Sequence, residues 1–187
     1  MNEQELQYLL EDLIKQPKES EWVEFKLNYH SAEEIGERIS ALSNGASLLN
    51  QQFGYLVFGV KDKNQTIEGT TFKASKTKIG NEEIEHWLAQ RLNPRIDFRI
   101  YEFSYKGKSV ILFEIPATNY QPIRFFQEAY IRIGSITRKL KDFPEKEAKI
   151  WNKKISKAFE KEIAKRSSFN SLVFIFHSKN KVSKLLV

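Results

Sequence analysis

Cysteine is absent from the 187 residues, and methionine occurs once. Without a thiol there is no disulfide framework, no thiolate zinc site, no iron–sulfur cluster and no cysteine nucleophile. A reducing, cytoplasmic address fits that absence. Proline and glycine are sparse, five and eight, and no repeat or low-complexity tract occurs. No apolar run approaches the roughly 18 residues that a membrane span needs. The first residues, MNEQELQYLLEDLIKQ, lack the basic start and apolar centre of a secretory signal. No G-x-G-x-x-G or G-x-S-x-G motif occurs. Gly107-Lys108-Ser109 resembles the end of a phosphate-binding loop, but Glu102 stands where that loop needs its first glycine, so no ATP site is expected. His30, His86 and His177 have no ligand spacing.

What is present describes a globular domain: 41% apolar residues and 13% aromatics. The net charge is +6, unevenly spread. Residues 1–24 hold seven acids and two lysines, a balance of −5, which leaves the remainder at +11. A basic body of that kind suits a polyanion, most simply nucleic acid; a solvated lysine-rich surface is the plainer alternative.

The periodicity predicts a mixed α/β fold. Leu6, Leu9, Leu10, Leu13 and Ile14 form a helical stripe ended by Pro17. Trp22–Leu27 alternates as a half-buried strand, Val23 and Phe25 on one face, Glu24 and Lys26 on the other. Ser31 and Glu34 suggest a capping box for a helix carrying Ile35, Ile39 and Leu42 inward. Residues 54–60, GYLVFGV, read as a central strand. A helix over 81–92, a hairpin of 95–105 with 109–115 around Lys106-Gly107, and short strands at 122–126 and 129–133 follow. Pro144 opens a lysine-rich helix to about Arg166, with Trp151, Ile155, Phe159 and Ile163 as its buried side. The expected organisation is one domain over 1–150 and a basic helix and tail over 151–187. The tail's SLVFIF segment reads equally as a last strand or a docking segment.

Two carboxylates draw attention. Glu24 sits among apolar residues, where a carboxylate is costly unless paired or metal-bound; the alternative is a wet strand face with a Glu24–Lys26 pair. Asp62 lies in the turn Lys61-Asp62-Lys63-Asn64, a common turn composition. The two converge only if strands 22–27 and 55–60 are neighbours, with helix 31–46 as the crossover. Converged, their oxygens would suit Mg²⁺ or Mn²⁺, with Lys26 steadying a phosphate. Basic residues gather in the set Lys61, Lys63, Lys73, Lys76 and Lys78, in the set Arg124, Arg132, Arg138, Lys139 and Lys141, and over 146–166. Tyr120, Phe125, Phe126 and Tyr130 interleave with the second set. An exposed ring there would stack on unpaired bases, while at least one of Phe125 and Phe126 is expected in the core.

Residues 19–69 resemble the Schlafen-type AlbA domain, in order and spacing. The matching stretches are Glu19-Ser20, Val23-Glu24-Phe25-Lys26, Ile39-Ser40-Ala41-Leu42-Ser43-Asn44, residues 54–62 (GYLVFGVKD) and Ile67-Glu68-Gly69. Residues 129–138, AYIRIGSITR, resemble the pattern that closes that domain, so the likeness covers about 10–150. It implies a mixed sheet with flanking helices and a nucleic-acid role, on RNA or DNA. In the vertebrate Schlafen proteins the matching domain is an endoribonuclease of structured RNA such as tRNA, with three carboxylates. Their counterparts here are Glu19, Glu24 and Asp62: Glu24 and Asp62 as metal ligands, Glu19 as ligand or water-positioning residue, all three as catalytic candidates. Glu21 falls outside the pattern and is read as a surface residue. Lys26, Lys61, Lys63, Arg124, Arg132, Arg138 and Lys139 are the nucleic-acid candidates. Without cysteine, the vertebrate zinc site has no equivalent. One copy of the fold, where those proteins hold two as a clamp, implies a homodimer if a comparable groove is to form. The rival expectations are a non-catalytic DNA-binding or transcription-regulator module and an interaction domain docking through 172–176. An ATPase is the weakest.

Overall fold

The computed structural model describes residues 1–16, 20–29 and 31–153. Helix α1 (Glu3–Leu13) opens the chain under a complete capping box between Asn2 and Glu5. Strand β1 (Val23–Lys26) leads to the long helix α2 (Ala32–Leu48) and then to β2 (Phe53–Phe58). The Ser31 hydroxyl accepts from the Glu34 amide at 3.1 Å, but the Glu34 carboxylate turns to Arg38, so the expected box closes on one side only. Asn50, at φ 57°, supplies the left-handed residue after α2. Gln51 then donates to Ala46 O and Asn50 to Ser47 O, the paired bonds that end a helix of this kind.

A small ladder of β3 (Val60–Lys61) and β4 (Thr66–Ile67) carries the 62–65 turn. Strands β5 (Lys78–Ile79) and β6 (Glu82–Glu83) pair before α3 (Ile84–Arg91), so that helix is shorter than 81–92. Then come β7 (Leu92–Asn93), β8 (Arg99–Tyr105), β9 (Lys108–Pro116), β10 (Arg124–Phe125), β11 (Glu128–Ile133) and β12 (Ile136–Lys139). Lys106 and Gly107 both take positive φ in the β8–β9 turn, as a tight two-residue hairpin requires. Residues 144–153 are helical from Pro144 onward. Trp151 on that helix is exposed while Ile150 is buried, which reverses the inward role expected of Trp151. His30 and the tail beyond 153 lie outside the described residues.

Among the described residues the main sheet runs β1-β2-β9-β8, and a second sheet runs β12-β11-β10-β7. β1 and β2 are parallel, Glu24 level with Leu56, and α2 is their crossover. β9 is antiparallel to both β2 and β8. The result is the mixed α/β fold expected.

Both faces of the main sheet are covered. Leu6, Leu10 and Leu13 of α1 pack with Val23, Phe25, Val57 and Leu112. Ile35, Ile39 and Leu42 of α2 pack with Leu56, Phe58, Ile111 and Phe113, joined by Trp87 and Leu88 of α3. This double cover explains why β2 and β9 read as continuous apolar runs. It also places Glu24 on the α2 side, since its neighbours Val23 and Phe25 face α1.

The helix α2 lies between the two sheets and is buried almost throughout from Ile39 to Ser47. Its polar residues grip the second sheet. Ser40 Oγ donates to Ile123 O at 2.7 Å and accepts from the Tyr130 amide at 2.9 Å. Asn44 Nδ2 donates to Ile123 O and Tyr130 O, and its Oδ1 accepts from the Ile123 amide. Buried polar groups are tolerable only when matched in this way. Two glycines allow the close packing: a Cβ on Gly36 would sit 2.2 Å from the Phe125 ring, and one on Gly45 2.2 Å from Glu21 O.

Candidate nucleic-acid interface

Glu24 is 5% exposed. Of the two readings of this position, the wet strand face is excluded, because α2 and β11 close over it, and the paired carboxylate is what is found. Arg38 Nε from α2 donates to Oε1 at 2.9 Å. Lys26 Nζ stands 3.2 Å from the same oxygen. Arg132 Nη1 from β11 faces Oε2 at 2.5 Å, an ion pair without hydrogen-bond alignment. Arg38 also takes Glu34 Oε2 at 2.8 Å, and Arg132 Nε reaches Ser20 O at 3.4 Å. Burial pushes the Glu24 carboxyl up, but the combined pull of Arg132, Arg38 and Lys26 outweighs it and holds the group below the usual carboxylate range. Arg38 shows the reciprocal balance: burial works against its charge, and Glu24 with Glu34 more than restores it.

Asp62 occupies the opposite environment. It follows β3, past a bend at Gly59 (φ 98°), and is exposed in the turn with Lys61 and Lys63. Lys61 pairs with Glu68 across the β3–β4 ladder at 3.4 Å. The condition for convergence is met, since β1 and β2 are parallel neighbours with α2 as their crossover, yet the two carboxylates stand in opposite environments. Glu19 lies outside the described residues, so the structure places two of the three matched carboxylates. Among the described residues no three His, Cys, Asp or Glu side chains gather to hold a metal. The donor set of this region does not fit Mg²⁺ or Mn²⁺ as it stands: both Glu24 oxygens already face cations, and like charge repels a divalent ion.

The nucleic-acid candidates divide in the same manner. Arg132 is 3% exposed and engaged by Glu24; it is a buried counter-ion, unable to reach a phosphate in this arrangement. Lys26 is half-buried beside it. Arg138 and Lys139 are exposed on β12, the outer strand of the second sheet. Lys139 and Lys141 share one carboxylate, Glu128, at 3.2 and 2.8 Å. Hydrogen bonds from Lys141 and Lys139 hold Glu128 below the ordinary value. Arg124 is partly exposed on β10, and Lys63 is exposed in its turn. Glu21 is half-buried against Lys146 at 3.4 Å, more engaged than a plain surface residue.

Sequence reasoning missed Arg38. Its signal was its place on α2 one turn after Glu34, on the helix face turned toward β1. Of the aromatics, Phe125 is buried and Phe126 is 57% exposed. Tyr120 is also exposed, and Tyr130 is half-buried against the core. His86 is exposed on α3 and meets Gln90. No helix among the described residues is long and apolar enough to cross a membrane.

Two solved structures are similar in part. A Corynebacterium diphtheriae protein, DIP2311, aligns at 15% identity and a TM-score of 0.49, over 73% of this chain and 26% of its own. The chain therefore spans about a quarter of that protein. The N-terminal domain of a RecG-related protein from Nitrosomonas europaea aligns at 22% identity and a TM-score of 0.39, over 71% of this chain and 90% of its own. No curated protein matches the chain. The Schlafen, AlbA_2 family model matches residues 19–141, more than half of the sequence and nearly all of the two-sheet body described above, and the chain belongs to that family.

Proposed function

We propose that this chain is a nucleic-acid-binding domain whose contact surface is the outer part of the second sheet. The observation that carries the reading is the exposed basic edge of β12. Arg138 and Lys139 stand there, Lys141 lies in the turn just beyond the strand, and Lys139 and Lys141 share the Glu128 carboxylate. Exposed lysine and arginine neutralise backbone phosphates and release counter-ions, so binding weakens steeply with salt. Membership of the Schlafen AlbA family and the basic balance beyond residue 24 support the same reading. Its test is fluorescence anisotropy of a labelled tRNA pool and of a duplex DNA over a salt series. Charge reversal at Arg138 and Lys139 should weaken both and flatten the salt slope. No binding at low salt would sink the proposal. Binding restricted to duplex DNA would move it toward a regulator module.

A finer reading is metal-dependent cleavage of structured RNA by Glu19, Glu24 and Asp62. It rests on the three positions matched in the family's pattern. Cleavage through Glu24 would first require its arginine contacts to open. Asp62→Asn is the informative variant, because Asp62 lies in an exposed turn. RNA cuts that need Mn²⁺ or Mg²⁺, stop with EDTA and disappear in Asp62→Asn would support an endoribonuclease. Unchanged cutting in that variant would remove Asp62 from the reaction. Dimerisation, which a clamp built from two copies of the fold would require, is measured in the same samples by sedimentation.

A further inference from the structure

We propose that the tip of the β10–β11 hairpin is a stacking site for one unpaired nucleobase, with the Phe126 ring as platform and Arg91 and Arg124 as neighbouring cations for its phosphates. The proposal rests on the nucleic-acid reading above and deepens it by naming the form of nucleic acid: single-stranded or looped.

The first observation is the turn. Phe125 pairs with Glu128, which leaves Phe126 and Gln127 as a two-residue loop. Both have positive φ, 46° and 67°. Such loops favour Asn-Gly, and a bulky side chain with φ in this region is a genuine outlier. The backbone there gives no reason for a phenylalanine. The core gives none either, since Phe125 fills it and Phe126 stands more than half open to solvent.

The second observation is that the exposed ring is held. Its centroid lies 4.7 Å from Phe125 and 5.8 Å from Trp87, both edge to face. The Phe126 amide donates to Arg91 O at 3.2 Å. A platform fixed before binding loses little freedom when a base arrives.

The third observation is charge. The Arg91 guanidinium lies 4.1 Å over the Trp87 ring and 5.8 Å from the Phe126 ring, with Glu82 as its ion-pair partner at 3.3 Å. Arg124 lies two residues before Phe126, on the strand that leads into the turn. One flat ring bordered by guanidinium is small for an apolar protein partner, whose anchors fill pockets. It matches a nucleotide, which joins a π face to a phosphate. Paired bases in a duplex are stacked on each other and offer no free face.

The test is anisotropy with a labelled oligouridylate and a labelled DNA duplex, using the full chain. Phe126→Asn removes the ring and gives the turn a residue it prefers. It should weaken the single strand by about tenfold, the scale of one lost base–aromatic stack, and leave the duplex within about twofold. Phe126→Trp should restore or exceed the original affinity. The proposal is overturned if Phe126→Asn holds the single strand as tightly as the parent, or if Phe126→Trp binds no better than Phe126→Asn. Equal loss on strand and duplex would also overturn it, assigning the effect to phosphate contacts or folding. If the parent binds neither nucleic acid, the broader reading fails and takes this one with it.

Discussion

The family resemblance offers Glu24 and Asp62 as candidates for one site, yet one is sealed and the other stands in water. Glu24 is enclosed by β1, α2 and β11 and surrounded by Lys26, Arg38 and Arg132. Asp62 rides a lysine-flanked turn beyond β3. An acidic residue in a matched position therefore carries no fixed meaning. At position 24 any substitution confounds folding with function, and at position 62 the two separate. The comparison can be pressed experimentally from both ends.

The largest effect is expected from Glu24→Ala. It leaves buried Arg132 beside a missing counter-charge and takes one of two carboxylates from half-buried Arg38, and loss of one partner of a buried ion pair costs about 3–5 kcal/mol. Urea denaturation reads this directly; a change below about 1 kcal/mol would mean that water reaches the cluster and that Glu24 is more open than its burial implies.

Gly45→Ala should come next. Its Cβ would meet Glu21 O at 2.2 Å, so the approach to β1 must shift, at the usual cost of overpacking, about 1–3 kcal/mol. If thermal melting is unchanged, β1 is not held by close contact with α2.

Acid sensitivity should be smaller and should depend on the same carboxylate. The folded pKa of Glu24 lies below its ordinary value of 4.5. Between the folded and unfolded values the unfolded chain binds more protons, so stability rises with pH in that window. The contribution is complete above the ordinary value and is lost as pH falls through the folded one. Glu24→Gln should flatten the acid limb of a stability–pH curve relative to the parent. An identical limb in both proteins would assign acid unfolding to other groups.

Asp62→Asn anchors the small end. An exposed turn substitution should stay within about 0.5 kcal/mol. A larger loss in the same denaturation series would show that Asp62 has a structural partner and would erase the contrast with Glu24.

Much of this arrangement was legible in the chain. Alternation at 22–27, the apolar run at 54–60 and the intervening amphipathic helix were readable as strand, strand and helix; their pairing stood only as a condition, and β1, α2 and β2 meet it as a parallel pair with a crossover. The same alternation misled about Glu24. Alternation says which residues share a face but not what covers that face, and here the cover comes from α2 and from β11. Arg132 looked like a phosphate contact because it sits among other basic residues. Its burial follows from where β11 packs, a tertiary fact with no local signature. β12 was overlooked for a related reason: Ile136-Thr137-Arg138-Lys139 shows little apolar pattern, as an outer strand at the rim of a sheet often does. Phe125 and Phe126 were indistinguishable by type, and the hairpin register separated them.

The grip of α2 on the second sheet has a consequence for how the molecule comes apart. The sheets lack a shared ladder among the described residues. Their joint runs instead through α2, whose Ser40 and Asn44 satisfy the backbone groups of Ile123 and Tyr130. Peeling β10 and β11 away would strand those buried partners on both sides, a penalty that local fraying cannot meet. The two sheets should therefore unfold as one cooperative unit, and the Ile123 and Tyr130 amides should fall in the slowest class in a hydrogen-exchange measurement, released only when the whole domain unfolds.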